Sequence, residues 1–327
     1  MNSLFRFLLI ALVFAACNAD KEANKRLSVK KTPSISSAKT TPSRNYQQIV
    51  VIGRTATELV MNLGDSSKIV ATDRSHPKFP NLKAPKVGYD DLLRADYILQ
   101  HKPQLVLSNW EGSPDAVVDA VQEKGVDYYR FKNYYHLDST KKWILQVAQL
   151  LRRQEQGKAL VDSVNTQIRA TRKILKERKD SVSVLYIHTN SPQTLLVAGS
   201  QTAADAIIRL AGAKNAASEF EGMERLAAED LELLDPDYIL LSDEGRATLE
   251  GKFMNLPYLV SSRAFRTGRL ITLPEFELVN FGIRAAHSAH QLARLLYVQQ
   301  YYGPMPYAGP NLALYPYSGT TPPRKWK

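Results

Sequence analysis

The residues with the clearest chemical potential sit in one short stretch, Pro85-Lys86-Val87-Gly88-Tyr89, which continues through Asp90-Asp91-Leu92 to Asp96. Pro85 and Gly88 punctuate the chain. Tyr89 follows the glycine directly, where a bulky ring on a loop has room to project. A phenolate oxygen is a hard donor of the kind that ferric iron takes as an axial ligand. The plainer reading is a packing or surface tyrosine, a common occupant of loops. The six histidines, at 76, 101, 136, 188, 287 and 290, are scattered. His287 and His290 share one helix face, but no carboxylate joins them there, so a solvated or capping pair competes with a metal site. There is no Gly-x-Gly-x-x-Gly, no Gly-Lys-Ser/Thr loop and no Gly-x-Ser-x-Gly elbow.

The elements that must position these residues follow from the apolar pattern. Ile49-Val50-Val51-Ile52 is a strand ending at Gly53-Arg54-Thr55, and a helix is predicted from about Ala56 to Leu63, with Thr55 and Glu58 as a capping box. Ile69-Val70-Ala71, Leu105 to Ser108 and Tyr128 to Phe131 are further strands, with a helix over Ala116–Lys124. Strands alternating with helices predict a parallel sheet with crossover helices, whose ligands gather at the sheet edge. Residues Ser139 to about Arg178 are apolar at helical spacing, and predict one long helix or two in tandem, roughly 60 Å if continuous. A second α/β segment follows. Ser183 to Ile187 is a strand with His188 directly after it, and Leu195–Ala198, Tyr238–Leu241 and Leu270–Leu273 are further strands. The segments echo each other: Asp96 lies seven residues before Pro103, Glu229 seven before Pro236, and both units close on a serine, Ser108 and Ser242.

The termini differ in kind. Arg6, the apolar run Leu8–Phe14 and Ala15-Ala16-Cys17 form a secretory signal ending on the sole cysteine, similar to the lipobox of bacterial lipoproteins. One cysteine excludes an intrachain disulfide and a cysteine zinc site. Net charge is +11 over 327 residues, yet no basic block is interleaved with aromatics, which argues against nucleic acid and for a basic surface suited to anions or membranes. The expected organisation is therefore a signal peptide (1–17), a polar tether (18–45), an N-terminal α/β lobe (46–138), a connecting helix (139–179), a C-terminal α/β lobe (180–302) and a proline- and tyrosine-rich tail (303–327).

From about Gln48 to Tyr297 the chain resembles the haemin-binding proteins of bacterial ABC transporters, in the helical-backbone class that also carries vitamin B12 and siderophores. The resemblance is carried by Pro85 to Tyr89, by Ala198-Gly199-Ser200-Gln201-Thr202 running through Asp205 to Gly212, and by Leu226-Ala227-Ala228-Glu229. It implies two Rossmann-like lobes joined by a long backbone helix, a ligand cleft between them, and binding rather than catalysis. It implies Tyr89 as ligand to haem iron, with His188 of the other lobe in the place some members use for a second ligand. It implies Asp96 and Glu229 as the acids that dock on an ABC permease dimer served by its ATPase. Asp96 departs from the usual glutamate. Asp91 stands where haemin binders often carry an arginine; Arg54, Arg74 and Arg225 are candidate substitutes for the propionates, against the alternative of solvated arginines. Cys17 would carry the lipid. Asn18 after it leans toward an outer membrane, with the body, a monomer, facing the periplasm or the cell exterior. The rival readings are the same fold carrying cobalamin or a ferric siderophore, a surface-anchored hydrolase, for which no local signature exists, and an adhesion protein using the tail.

Overall fold

The computed structural model describes residues 44–74, 79, 82–88, 93–109, 113–132, 135–191, 194–226, 233–249, 259 and 261–298. Cys17, Tyr89, Asp91 and Glu229 lie outside them, as do the proposed signal, most of the tether and the tail.

The first lobe is built on β1 (Ile49–Ile52), a run of β-branched residues with no exposed surface, which suits the centre of a parallel sheet covered on both faces. It is flanked by β2 (Ile69–Thr72) and β3 (Leu105–Ser108), and β4 (Asp127–Arg130) lies beyond β3. All pairings are parallel, as the alternation with α1 (Arg54–Asn62), α2 (Ala95–Leu99) and α3 (Asp115–Glu123) requires. Ile52 pairs with Ser108, so β1 and β3 end flush and their next residues, Gly53 and Asn109, meet.

That meeting corrects the expected cap of α1. Thr55 lies inside the first turn, Gly53 is the N-cap, and it provides no side-chain bond. The neighbouring strand supplies the cap instead: Asn109 Oδ1 accepts from the Ala56 N–H at 3.1 Å. Gly53 has φ +92, and a Cβ there would stand 2.0 Å from Asn109 Oδ1, so both backbone angle and space demand glycine.

The connection is two helices, α4 (Leu137–Leu150) and α5 (Gln154–Glu177), broken at Arg152, whose φ is 58. The longer spans roughly 36 Å at the helical rise. Gly157 of α5 lies so close to Ala148 of α4 that a Cβ would be 2.3 Å from that side chain. Arg153 at the break binds the buried Asp65 carboxylate at 2.7 Å and fastens the start of α5 to the first lobe. At the other end, Arg178 donates to the Gly212 carbonyl, which also accepts from the Tyr297 hydroxyl at 2.9 Å.

The second lobe is mixed rather than wholly parallel. Its strands run β10 (Leu270–Leu273), β9 (Tyr238–Ser242), β5 (Ser183–Ser191), β6 (Thr194–Ala198) and β8 (Met223–Arg225), with β7 (Lys214–Asn215) beside β5. β10, β9 and β5 are parallel; β5–β6 and β6–β8 are antiparallel. His188 lies within β5, not after it. The long motif Ala198–Gly212 is scaffold. Gly199 packs on the Phe220 backbone, where a Cβ would be 2.3 Å from its carbonyl oxygen. Thr202 caps α6 (Ala203–Leu210) by accepting from the Asp205 N–H at 3.1 Å, and Asn215 ties Asp205 to the Ala198 carbonyl. The remaining helices are α7 (Asp243–Leu249), α8 (Arg263–Arg266), α9 (Glu275–Leu278) and α10 (Ala285–Tyr297). Among the described residues no helix is long and apolar enough to cross a membrane.

Candidate functional site

The C-terminal ends of β1 and β10 approach each other, since Arg54, just after β1, lies over Phe276, just after β10, and such ends are where open α/β sheets collect ligands. On the first lobe the segment before Tyr89 is sewn to β2. Thr72 N donates to the Pro85 carbonyl at 2.9 Å, Val87 N to the Thr72 carbonyl at 2.8 Å, and Arg74 N to the Gly88 carbonyl at 2.9 Å. Lys86 Nζ adds a bond to Thr72 Oγ1 at 3.1 Å. Burial pulls the Lys86 ammonium below its ordinary value, Asp73 opposes this, and Arg74 adds to it. Gly88, with φ +119, is thus held at the sheet edge, one residue before Tyr89 in the chain.

Arg54 opens α1 at the same edge. Burial lowers its ordinarily very high pKa, while the carboxylates of Glu275, Glu244, Glu58 and Asp73 favour its charge. Its guanidinium lies over the Phe276 ring at 5.2 Å from the centroid, and Arg284 lies over the same ring at 5.2 Å. Arg284 also donates to the nearly buried Glu58 carboxylate, joining residues 226 apart in sequence. Phe79 meets Phe276 edge to face at 6.4 Å, and Gly282 lies against the Thr55 side chain. These contacts hold the first lobe to α9 and to the N-terminus of α10.

The second lobe contributes a polar row. His188 Nδ1 lies 3.1 Å from the Tyr186 hydroxyl. Ser242 Oγ donates to Glu275 Oε2 at 3.0 Å and accepts from the Gly245 N–H at 2.9 Å. The Glu275 N–H donates to Asp243 Oδ1 at 2.8 Å. Burial raises the Tyr186 pKa well above the ordinary phenol value, Glu275 and Asp243 raise it further, and a hydrogen bond with Ser242 opposes them. Strand register carries Arg225 to the same row: His188 pairs with Leu196, and Leu196 with Arg225. Residues directly opposite in antiparallel strands share a sheet face, so His188, Leu196 and Arg225 do so, with Arg225 about 10 Å from His188 across β6.

Of the residues singled out from the sequence, Arg54 and Arg74 follow the C-terminal ends of β1 and β2, and His188 and Arg225 lie toward the C-terminal ends of β5 and β8. Arg74 and Arg225 are exposed and Arg54 is partly buried. Asp96 stands apart on α2, its side chain 57% exposed, and is gripped by both Arg94 Nε at 3.0 Å and Nη2 at 2.8 Å. Arg94 depresses the Asp96 pKa through that bond and also lies over the Tyr97 ring at 5.0 Å. His290, at 3.4 Å from Thr171 Oγ1, packs against α5, where burial lowers its pKa. The sequence offered Glu58 only as a helix cap and did not point to Arg284, Phe276, Tyr186 or Glu275. Only Tyr186, two residues before His188 on the same strand face, carried a usable signal.

Residues 49–276 match the family described as periplasmic binding protein. The chain is 24% identical over 234 residues to the Bacillus subtilis (strain 168) ABC transporter substrate-binding lipoprotein YvrC, which is uncharacterised, spanning 70% of this chain and 69% of that one. Among solved structures, the periplasmic heme-binding protein BhuT in complex with two hemes is 31% identical, with a TM-score of 0.71 over 77% of this chain and 98% of BhuT. The heme-binding protein RhuT from Roseiflexus sp. RS-1 in apo form is 27% identical, with a TM-score of 0.70 over 77% and 98%.

Proposed function

The chain belongs to the periplasmic binding protein family and is the substrate-binding component of an ABC transporter, a carrier and not an enzyme; on that premise we propose that its cargo is ferric haem, gripped through Tyr89 and handed to a permease. The observation that carries this reading is the attachment of Pro85–Gly88 to the end of β2, which brings the chain to the sheet edge one residue before a tyrosine. The likeness to BhuT and RhuT supports the choice of haem. A phenolate is a hard donor for ferric iron, and the iron's charge stabilises the deprotonated form.

His188 on the opposite lobe is the second candidate ligand. Leu196, between His188 and Arg225, offers an apolar surface to a porphyrin face, and Arg225 and Arg74 offer exposed cations to propionates. Arg54 fits that role less well, because four carboxylates already surround it. That acid-rich edge, with Asp91, is what favours the second reading, the same fold carrying cobalamin or a ferric siderophore. Delivery would follow docking of Asp96 and Glu229 on the permease, with Cys17 lipidated and the body on the periplasmic or outer face.

The test is a titration of the chain after Cys17 with ferric haemin, beside Tyr89→Ala, followed by absorption. A saturating high-spin, tyrosinate-like spectrum that the variant loses supports the assignment. Equal binding by both proteins moves the iron to another residue, His188 first. No specific binding by either removes haem and turns the search to cobalamin and siderophores.

A further inference from the structure

Half of the long helix α5 turns a face of a single charge to solvent. Gly157, Val164 and Thr171 are its buried residues, seven apart, and they mark the face that packs inward. The opposite face changes character along its length. Its first half is mixed: Lys158 donates to Glu155 at 2.8 Å, and Asp162 follows. Its second half carries Arg169, Arg172, Lys173 and Lys176, at positions i, i+3, i+4 and i+7, all exposed. No Asp or Glu occurs from Ser163 to Lys176, and none of these four cations forms an ion pair among the described residues. On the neighbouring α10, which contains no acid, Arg294 is exposed one turn past His290, the residue that meets Thr171. A helix dipole favours cations only in its last turn, which accounts for Lys176 but not for Arg169 or Arg172. Like charges four apart, Arg169 with Lys173 and Arg172 with Lys176, weaken the helix. An anionic partner would relieve that repulsion.

The ties of α5 show which side of the molecule this face is on. Its start is held through Arg153 by Asp65, which precedes β2, and its end through Arg178 by Gly212, which precedes β7. Both ties lie at the amino ends of strands, away from the carboxyl ends where open sheets collect ligands. The tether joins the body on that same side. Tyr46 donates to Asp127, the first residue of β4, at 2.7 Å, and the Gln47 N–H donates to Gln104, next to the start of β3, at 2.6 Å. The tether is itself basic, with Lys21, Lys25, Arg26, Lys30, Lys31 and Lys39 against Asp20 and Glu22.

We propose that the cationic face of α5 is a docking surface for an anionic phospholipid bilayer, which lays the amino-end side of the sheets on the membrane and leaves the carboxyl ends open to incoming cargo. A row of exposed cations along a convex helix matches a plane of phosphates, and the basic residues of the tether suit the same plane. The docking requires neither haem nor a lipid on Cys17.

The test uses the chain after Cys17, which keeps every described residue and has no cysteine. It is floated with vesicles of phosphatidylglycerol in phosphatidylcholine, and with vesicles of phosphatidylcholine alone. Binding to the anionic vesicles only is expected, with release at about 0.5 M NaCl, where screening shortens to a few ångström. The combined variant Arg169→Gln, Arg172→Gln, Lys173→Gln and Lys176→Gln should partition at least ~10-fold more weakly with native circular dichroism, since each basic residue near an anionic surface contributes several-fold. No binding by the wild type, or equal partitioning by the variant, overturns the proposal; in the second case the tether alone holds the vesicle. A second measurement keeps all four cations. Thr166→Cys places a fluorophore on the outward face of α5, and Ala116→Cys places one at the exposed start of α3, which Ser113 holds beside Arg130 at the carboxyl end of β4. Brominated lipid should quench the first and spare the second; equal quenching, or the reverse, overturns the proposal. Haemin is absent throughout, so failure of the haem reading leaves these outcomes unchanged.

Discussion

The Glu58–Arg284 pair gives the sharpest energetic prediction, because it joins the lobes and one partner is nearly buried. The Glu58 side chain is 6% exposed and that of Arg284 50%. Removing one partner of a fully buried pair strands a charge and costs about 3–5 kcal/mol. Arg284 is half in water, so Arg284→Ala should fall below that range, near the ~2 kcal/mol of one charged hydrogen bond. The pH dependence separates this from lost packing on Phe276. Burial raises the Glu58 pKa in the folded state even with Arg284 lowering it. A carboxyl with a raised folded pKa contributes stability that is complete below its unfolded value and is lost as pH rises through the folded value. Arg284→Ala pushes the folded value higher, so the loss extends over a wider window. The variant should match the wild type near pH ~4, where the acid is largely protonated, and trail it most near pH ~8. Urea denaturation at both pH values measures this, and the melting temperature should drop by roughly 4 °C at the higher pH. Glu58→Gln in the same background should recover part of the loss, since an amide carries no charge. A penalty equal at both pH values, or a coupling below ~0.5 kcal/mol in the double-mutant cycle, would refute the electrostatic account.

Two further outcomes are expected. Gly53→Ala should destabilise the first lobe by at least ~1–2 kcal/mol, since φ is positive and the new Cβ meets the Asn109 oxygen that caps α1; chemical denaturation reads this, and an unchanged midpoint would contradict it. Reversing the charge of both Asp96 and Glu229 should abolish uptake in cells while haemin affinity in solution is retained; normal uptake would reject the docking role.

The sequence by itself determined the parts that depend on neighbours along the chain. Apolar runs such as Ile49–Ile52 mark buried strands because side chains alternate across a strand and both faces of this one are covered. Gly88 announced a break in the chain and Gly53 the end of the first strand, and both have positive φ values that glycine enters easily. The stop between α4 and α5 was open as an alternative, since helical spacing continues on both sides of it. What the tertiary structure decided was every partner remote in sequence. The cap of α1 came from Asn109 rather than from Thr55, because flush strand ends bring that amide to the helix start. Glu58, read as half of a local capping box, instead binds Arg284, because the lobes meet there. The mixed second sheet escaped prediction because strand direction depends on which edges pair, not on periodicity. The bonding of Ser242 to Glu275 likewise arises only when β9 and α9 end together. Periodicity can say which face a side chain takes; it cannot say which distant group will accept its proton.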